Sequence, residues 1–244
     1  MYEIENGQLI EIMDLNNDSK FTSRGHGGLL SVATNEEFVY LSYTIFSDTK
    51  NMNYLVVDEY SKTLSKIRRL VKFKFQAAHE SAGALAFDSD GKLYVSVAQG
   101  PFVSDPQRGR ILQLDVSKPD PKPKIIAFGL RSPWKISIDS KNRMFIGDCG
   151  EKKMESVYLL GDLNTDVPYN LGWPVFEGTI RRKSNPLRLQ DTETPIYEYR
   201  HWPYGQEGAC VIGGVYLDRL DEYIFGDLFG VVRLLKKGKG GNWY

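Results

Sequence analysis

Four stretches of this chain repeat one pattern: a short alternating strand, a polar turn, and a second strand carrying an aromatic residue. They are LLSVATNEEFVYLSYT from Leu29, ALAFDSDGKLYVSVAQG from Ala84, KISIDSKNRMFIGDCG from Lys135 and GVYLDRLDEYIFGDLFG from Gly214. The aromatics fall at Tyr40, Tyr94, Phe145 and Phe225. Alternation with a period of two marks a strand with one face toward a core. A third strand follows each unit, from Asn53, Arg110, Ser156 and Val231, and fourth strands start at Lys66, Pro123 and Pro195. Four-stranded antiparallel units repeating at this scale predict an all-β chain folded as a β-propeller. A sandwich gives no reason for one motif to recur in this way.

Residues 1–244 read as a single propeller domain of about four blades, cut at both ends. LIEIMDL, from Leu9, is a strand without a blade, and the last unit stops at GKGGNWY before a fourth strand. Propellers protect their sheet edges by closing the ring, so this arc is expected to belong to a larger one. The longest connection runs from Gly161 to Thr194 and carries NLGWPVFEG at Asn170 to Gly178. Loops of that kind, held by a rigid scaffold, are where function concentrates.

Composition narrows the classes. With 41% hydrophobic residues in 244, the chain can bury a real core. Its 31 basic and 31 acidic residues cancel, which speaks against electrostatic binding of nucleic acid or of a membrane surface. The run Arg181, Arg182, Lys183 reads as a solvated loop. No stretch approaches the roughly 18 apolar residues of a membrane span. The start, MYEIENGQLIEI, lacks the basic and apolar regions of an export signal, which leaves a cytoplasmic protein or a chain whose true start is missing. Cys149 and Cys210 are too few for a disulfide scaffold or a zinc site. A single bridge and two buried free thiols both remain open, with free thiols the expectation.

Six motifs, in order, carry a resemblance to a known family: GHGGLLSVA at Gly25, GALAFDSDGKLYV at Gly83, GLRSPWKISID at Gly129, IGDCGEKKMESV at Ile146, NLGWPVFEG at Asn170, and CVIGGVYL with YIFGDLFGVVRLLK near the end. The chain resembles, from about Gly25 to Tyr244, the soluble PQQ-dependent glucose/sorbosone dehydrogenases. These are six-bladed propellers that include aldose sugar dehydrogenases and are generally periplasmic or secreted. The resemblance implies a PQQ cofactor over the mouth of the ring with a Ca2+ ion beside it, and a sugar or polyol as substrate. A quinone rich in carboxylates calls for arginine, calcium for hard oxygens, and the proton acceptor for a group titrating near neutrality.

Carried over by position, Arg131 matches the arginine that contacts the quinone, and Ser132 stands where an asparagine is usual. His26 fills a polar position facing the cofactor in relatives. Gly150 and Glu151 match the positions whose carbonyls hold calcium, with Asp148 and Glu155 as further candidate ligands. Counting back from Leu85, the place of the family's catalytic histidine holds Glu80, and His79, one residue upstream, is the expected base. Asn170, Trp173, His201 and Trp202 are assigned to the sugar side. Two departures stand out: Ala98 replaces an acid that would orient the histidine, and the family's last cofactor arginine would lie beyond Tyr244. The same scaffold also serves non-catalytic binding of a glycan or a protein, as in the hedgehog-interacting protein, which this chain resembles too.

Overall fold

A computed structural model describes residues 1–48, 52–75, 82–99, 109–202 and 208–244. The chain divides into two compact units, Met1–Ser81 and Ala82–Tyr244. Among the described residues, helix is limited to short 3-10 turns such as Leu15–Asn17 and Leu189–Asp191. No helix among them is long and apolar enough to cross a membrane.

The first unit opens with a hairpin of β1 (Tyr2–Glu5) and β2 (Gln8–Glu11). The strand read from Leu9 therefore pairs with its own predecessor and stays exposed, rather than joining a blade. Next come β3 (Leu29–Thr34), β4 (Phe38–Ser47), β5 (Met52–Ser61) and β6 (Lys66–Phe75), an antiparallel meander in that spatial order. β4 and β5 are buried along almost their whole length, with Leu41, Tyr43 and Val56 fully inside. At their centre Asp58 is completely buried and holds Arg69 (Nε–Oδ1 2.7 Å), Lys66 and the Tyr43 hydroxyl.

The second unit continues with β7 (Leu85–Phe87), β8 (Leu93–Val97), β9 (Arg110–Leu114) and β10 (Lys124–Phe128). The next sheet holds β11 (Pro133–Ile138), β12 (Met144–Asp148) and β13 (Met154–Leu160). The long connection contributes β14 (Tyr169–Asn170), β15 (Phe176–Glu177) and β16 (Ile180–Arg181) before β17 (Tyr197–Arg200) completes that sheet beside β13. The last sheet is β18 (Val211–Leu217), β19 (Glu222–Asp227) and β20 (Val232–Lys236). These are the antiparallel blades of a partial β-propeller, and the predicted fourth strands from Lys66, Pro123 and Pro195 are β6, β10 and β17.

The recurring turn has a physical basis. Asp88 accepts the amides of Asp90 and Lys92, and Asp139 those of Lys141 and Arg143, so each closes its hairpin with its own carboxylate. Asp88 also accepts the hydroxyl of Tyr94 at 2.9 Å, while the Asn35 side-chain amide donates to the Tyr40 hydroxyl at 3.2 Å. The repeated aromatic thus packs in the core while its polar tip, where it has one, fastens the turn. Strands β3, β11 and β18 each carry a register shift in their first residues, which redirects the chain there. Adjacent blades meet closely: a Cβ on Gly147 would lie 2.7 Å from the Gly213 Cα, so both positions require glycine.

Candidate functional site

The register shift between Pro133 and Lys135 delivers Arg131 and Ser132 to the loop that leaves β12. Their amides both donate to the Asp148 carboxylate, Ser132 at 2.7 Å, and the Arg131 carbonyl accepts from Gln99 at 2.8 Å. Arg131 Nη1 then reaches the carbonyls of Cys149 (3.1 Å) and Gly150 (2.8 Å).

The loop between β12 and β13 folds around carboxylates. One oxygen of Glu177 accepts the amides of Glu151, Lys152 and Lys153 at 2.7 Å each, and of Met154 at 3.3 Å. Arg182 binds the other oxygen of Glu177 at 2.9 Å, pairs with Glu151, and stacks on Trp173 with its guanidinium carbon 4.1 Å from the ring centroid. Arg131 lies 6.0 Å from the same ring. Burial, and repulsion from Arg131, pull the Arg182 guanidinium below its ordinary value. Arg182 is therefore half-buried machinery rather than part of a solvated charge run; Arg181 and Lys183 are exposed as expected.

Glu155 is fully buried. It accepts the amides of Gly150 (3.1 Å) and Val211 (2.8 Å) and bonds Nδ1 of His201. The contact fixes the orientation of the His201 ring through Nδ1 and leaves Nε2 turned away from Glu155. Beside them Cys149 and Cys210 form a disulfide, which corrects the expectation of free thiols. The two segments it joins both already donate an amide to Glu155.

Burial pushes the Asp148 carboxyl up to about 7, against the pull of the Arg131 and Ser132 amides, and the charge of Glu155 adds to the rise. The folded state thus holds a proton that the unfolded chain, titrating near 3.8, has lost. This contribution to stability is complete below the unfolded value and disappears as pH rises through the folded one. We expect the second unit to lose on the order of 2–3 kcal/mol between pH 5 and pH 8 from this group alone. In urea denaturation followed by tryptophan emission, Asp148→Asn should flatten that slope; an unchanged slope would acquit Asp148.

Of the remaining predicted positions, Asn170 accepts the amide of Gly172 at 3.0 Å and so shapes the turn before Trp173. Trp173 donates its amide to Gly129 and precedes a cis proline, Pro174. Its indole Nε1 is buried with no hydrogen-bond partner, beside a cavity of about 10 Å3 also lined by Asp148, Ser156 and Glu177. That space suits one water. Trp202 is exposed and leans on Phe229, ring centroids 6.3 Å apart. Ala98 is buried at the end of β8. His26 is exposed in the turn before β3, within the first unit, whereas the cluster above is built by the second. His79 and Glu80 lie outside the described residues.

Sequence reasoning placed Arg131, Trp173 and the β12 loop together but missed Glu177 and Arg182. The available signal for Glu177 was an acid set among apolar neighbours in VFEG.

The fit to the implied groups is uneven. Arg131, Arg182 and Trp173 offer the cations and planar apolar surface that a flat polycarboxylate quinone needs. The cavity beneath is water-sized, so such a ligand would lie over the cluster. Calcium fits poorly, because the Gly150 carbonyl and the carboxylates of Asp148, Glu151 and Glu155 already have protein donors.

Comparison with known proteins agrees with this architecture. The PQQ-bound form of aldose sugar dehydrogenase from Streptomyces coelicolor superposes with a TM-score of 0.69 at 19% identity, over 98% of this chain and 71% of that one. A glucose dehydrogenase gives 0.68 at 18% identity, over 91% and 72%. Among curated sequences, the HIPL1 protein of Arabidopsis thaliana is 26% identical and HIPL2 is 25% identical, each match covering 68% of this chain. The chain spans only about a third of their length (31% and 30%). The glucose/sorbosone dehydrogenase family model matches residues 3–213, and the chain belongs to that family.

Proposed function

We propose that this chain forms part of a PQQ-dependent sugar dehydrogenase, oxidising an aldose or similar polyol at the propeller rim. The observation that carries the reading is the cluster of Arg131 and Arg182 around Trp173, held rigid by Glu177 and Asp148. PQQ, when bound, supplies a two-electron quinone acceptor. Arg131 and Arg182 would pair with its carboxylates, and the Trp173 face would support a planar ring. His201, its ring oriented by Glu155, would bond a sugar hydroxyl at Nε2, with Trp202 alongside. By resemblance, His79 takes the hydroxyl proton and His26 a cofactor contact. The Cys149–Cys210 bridge supports an exported protein, since disulfides persist in oxidising compartments.

A second reading, a propeller that binds a glycan or a protein without catalysis, draws on the apolar Ala98 where an orienting acid is usual and on the HIPL relatives.

PQQ added to the full chain is expected to quench tryptophan emission. Arg182→Ala should weaken that binding at least tenfold, the scale of a lost charged hydrogen bond. Aldose-dependent dye reduction should follow in the loaded protein. Absence of both quenching and reduction would leave the binding reading in place.

A further inference from the structure

We propose that Arg131 is the resident cation of the loop Cys149–Lys153, occupying the carbonyl cradle that would otherwise take a calcium ion, so that this rim is built without metal. The guanidinium bonds both carbonyls that turn toward it, Cys149 at 3.1 Å and Gly150 at 2.8 Å. Its backbone is fixed on both sides, the amide on Asp148 and the carbonyl on Gln99, so the side chain is aimed by the scaffold.

The surrounding acids are equally committed. Glu151 pairs with Arg182, Glu177 holds four amides and Arg182, and Glu155 holds two amides and His201. Asp148 is taken up by the amides of Arg131 and Ser132. Calcium needs six to eight oxygens at 2.3–2.6 Å, several of them anionic. To collect them here it would have to expel Arg131 from Gly150 and dismantle the pairs just named, while facing a guanidinium that never deprotonates. One cation excludes the other, and the covalently attached one is always present.

The test needs neither PQQ nor sugar, so it stands apart from the dehydrogenase reading. Thermal unfolding of the full chain, followed by tryptophan emission, is compared in EDTA and in millimolar calcium chloride, with terbium luminescence sensitised by Trp173 as a direct probe of the loop. The wild-type chain should show the same midpoint in both buffers and no terbium emission from this loop. Arg131→Ala should lower the midpoint in EDTA, regain part of the loss with calcium, and acquire terbium emission that Trp173→Phe abolishes. Arg131→Lys keeps a cation in the cradle and should remain indifferent to calcium. If Arg131→Ala fails to fold, the wild-type and lysine chains still decide the matter. A wild-type midpoint that rises with calcium, or wild-type terbium emission lost on Trp173→Phe, would overturn the proposal. So would an Arg131→Ala chain as stable as wild type and blind to calcium.

Discussion

Replacing Cys149 and Cys210 by serine, or opening their bridge with a dithiol reductant, is expected to destabilise the second unit by about 4 kcal/mol. The bridge closes a loop across 61 positions, and the chain-entropy relation for a loop of that length gives roughly this value. Geometry adds a local reason. The bridge joins the segments that donate the Gly150 and Val211 amides to Glu155, so its loss frees both ends of a buried carboxylate's support. All four tryptophans, at 134, 173, 202 and 243, belong to the second unit. Urea denaturation read by their emission, with and without reductant, therefore reports on this unit. A midpoint unaffected by reduction would mean that the bridge is dispensable.

In the first unit the corresponding weak point is Asp58. Substitution by alanine should cost about 3 kcal/mol, toward the low end for breaking a buried ion pair, because Arg69 and Lys66 keep some access to water. Burial opposes ionisation of Asp58, yet the hydrogen bonds of Arg69, Lys66 and Tyr43 outweigh it and hold the carboxyl below its ordinary value. Stability from this group is thus present above the unfolded value near 3.8 and is lost as the solution is acidified through the lower folded value. The first unit has no tryptophan, so the measurement is the far-ultraviolet circular dichroism transition. Asp58→Asn, which keeps the shape and removes the charge, should fall between wild type and alanine; equality of all three would dismiss the network as a source of stability.

The strands were legible because their causes are local. Alternation, an Asn or Asp closing the first three turns, and a recurring aromatic all sit within some twenty residues, and the blades follow from them. The site was legible only where a loop belongs to one blade, as with Arg131 and the turn after Asp148. Glu177 reaches back to amides 23–26 residues earlier in the chain, and no local pattern announces that. Arg182 looked solvated beside Arg181 and Lys183 because a charge run has no inside in one dimension; only Trp173 and Glu177 give it one. The cysteine pairing failed for the same reason, since it depends on blades meeting rather than on spacing.

Glu177 also determines how the loop beside it behaves as a whole. Four consecutive amides, Glu151 to Met154, share a single acceptor atom. Departure of that one carboxylate would take the same acceptor from all four at once. Glu177 is thus the shared anchor of the segment, while Arg131 holds the Cys149 and Gly150 carbonyls and Arg182 the Glu151 carboxylate. A visitor arriving at the rim meets a surface already cast, its shape set by one side chain from the far end of another connection.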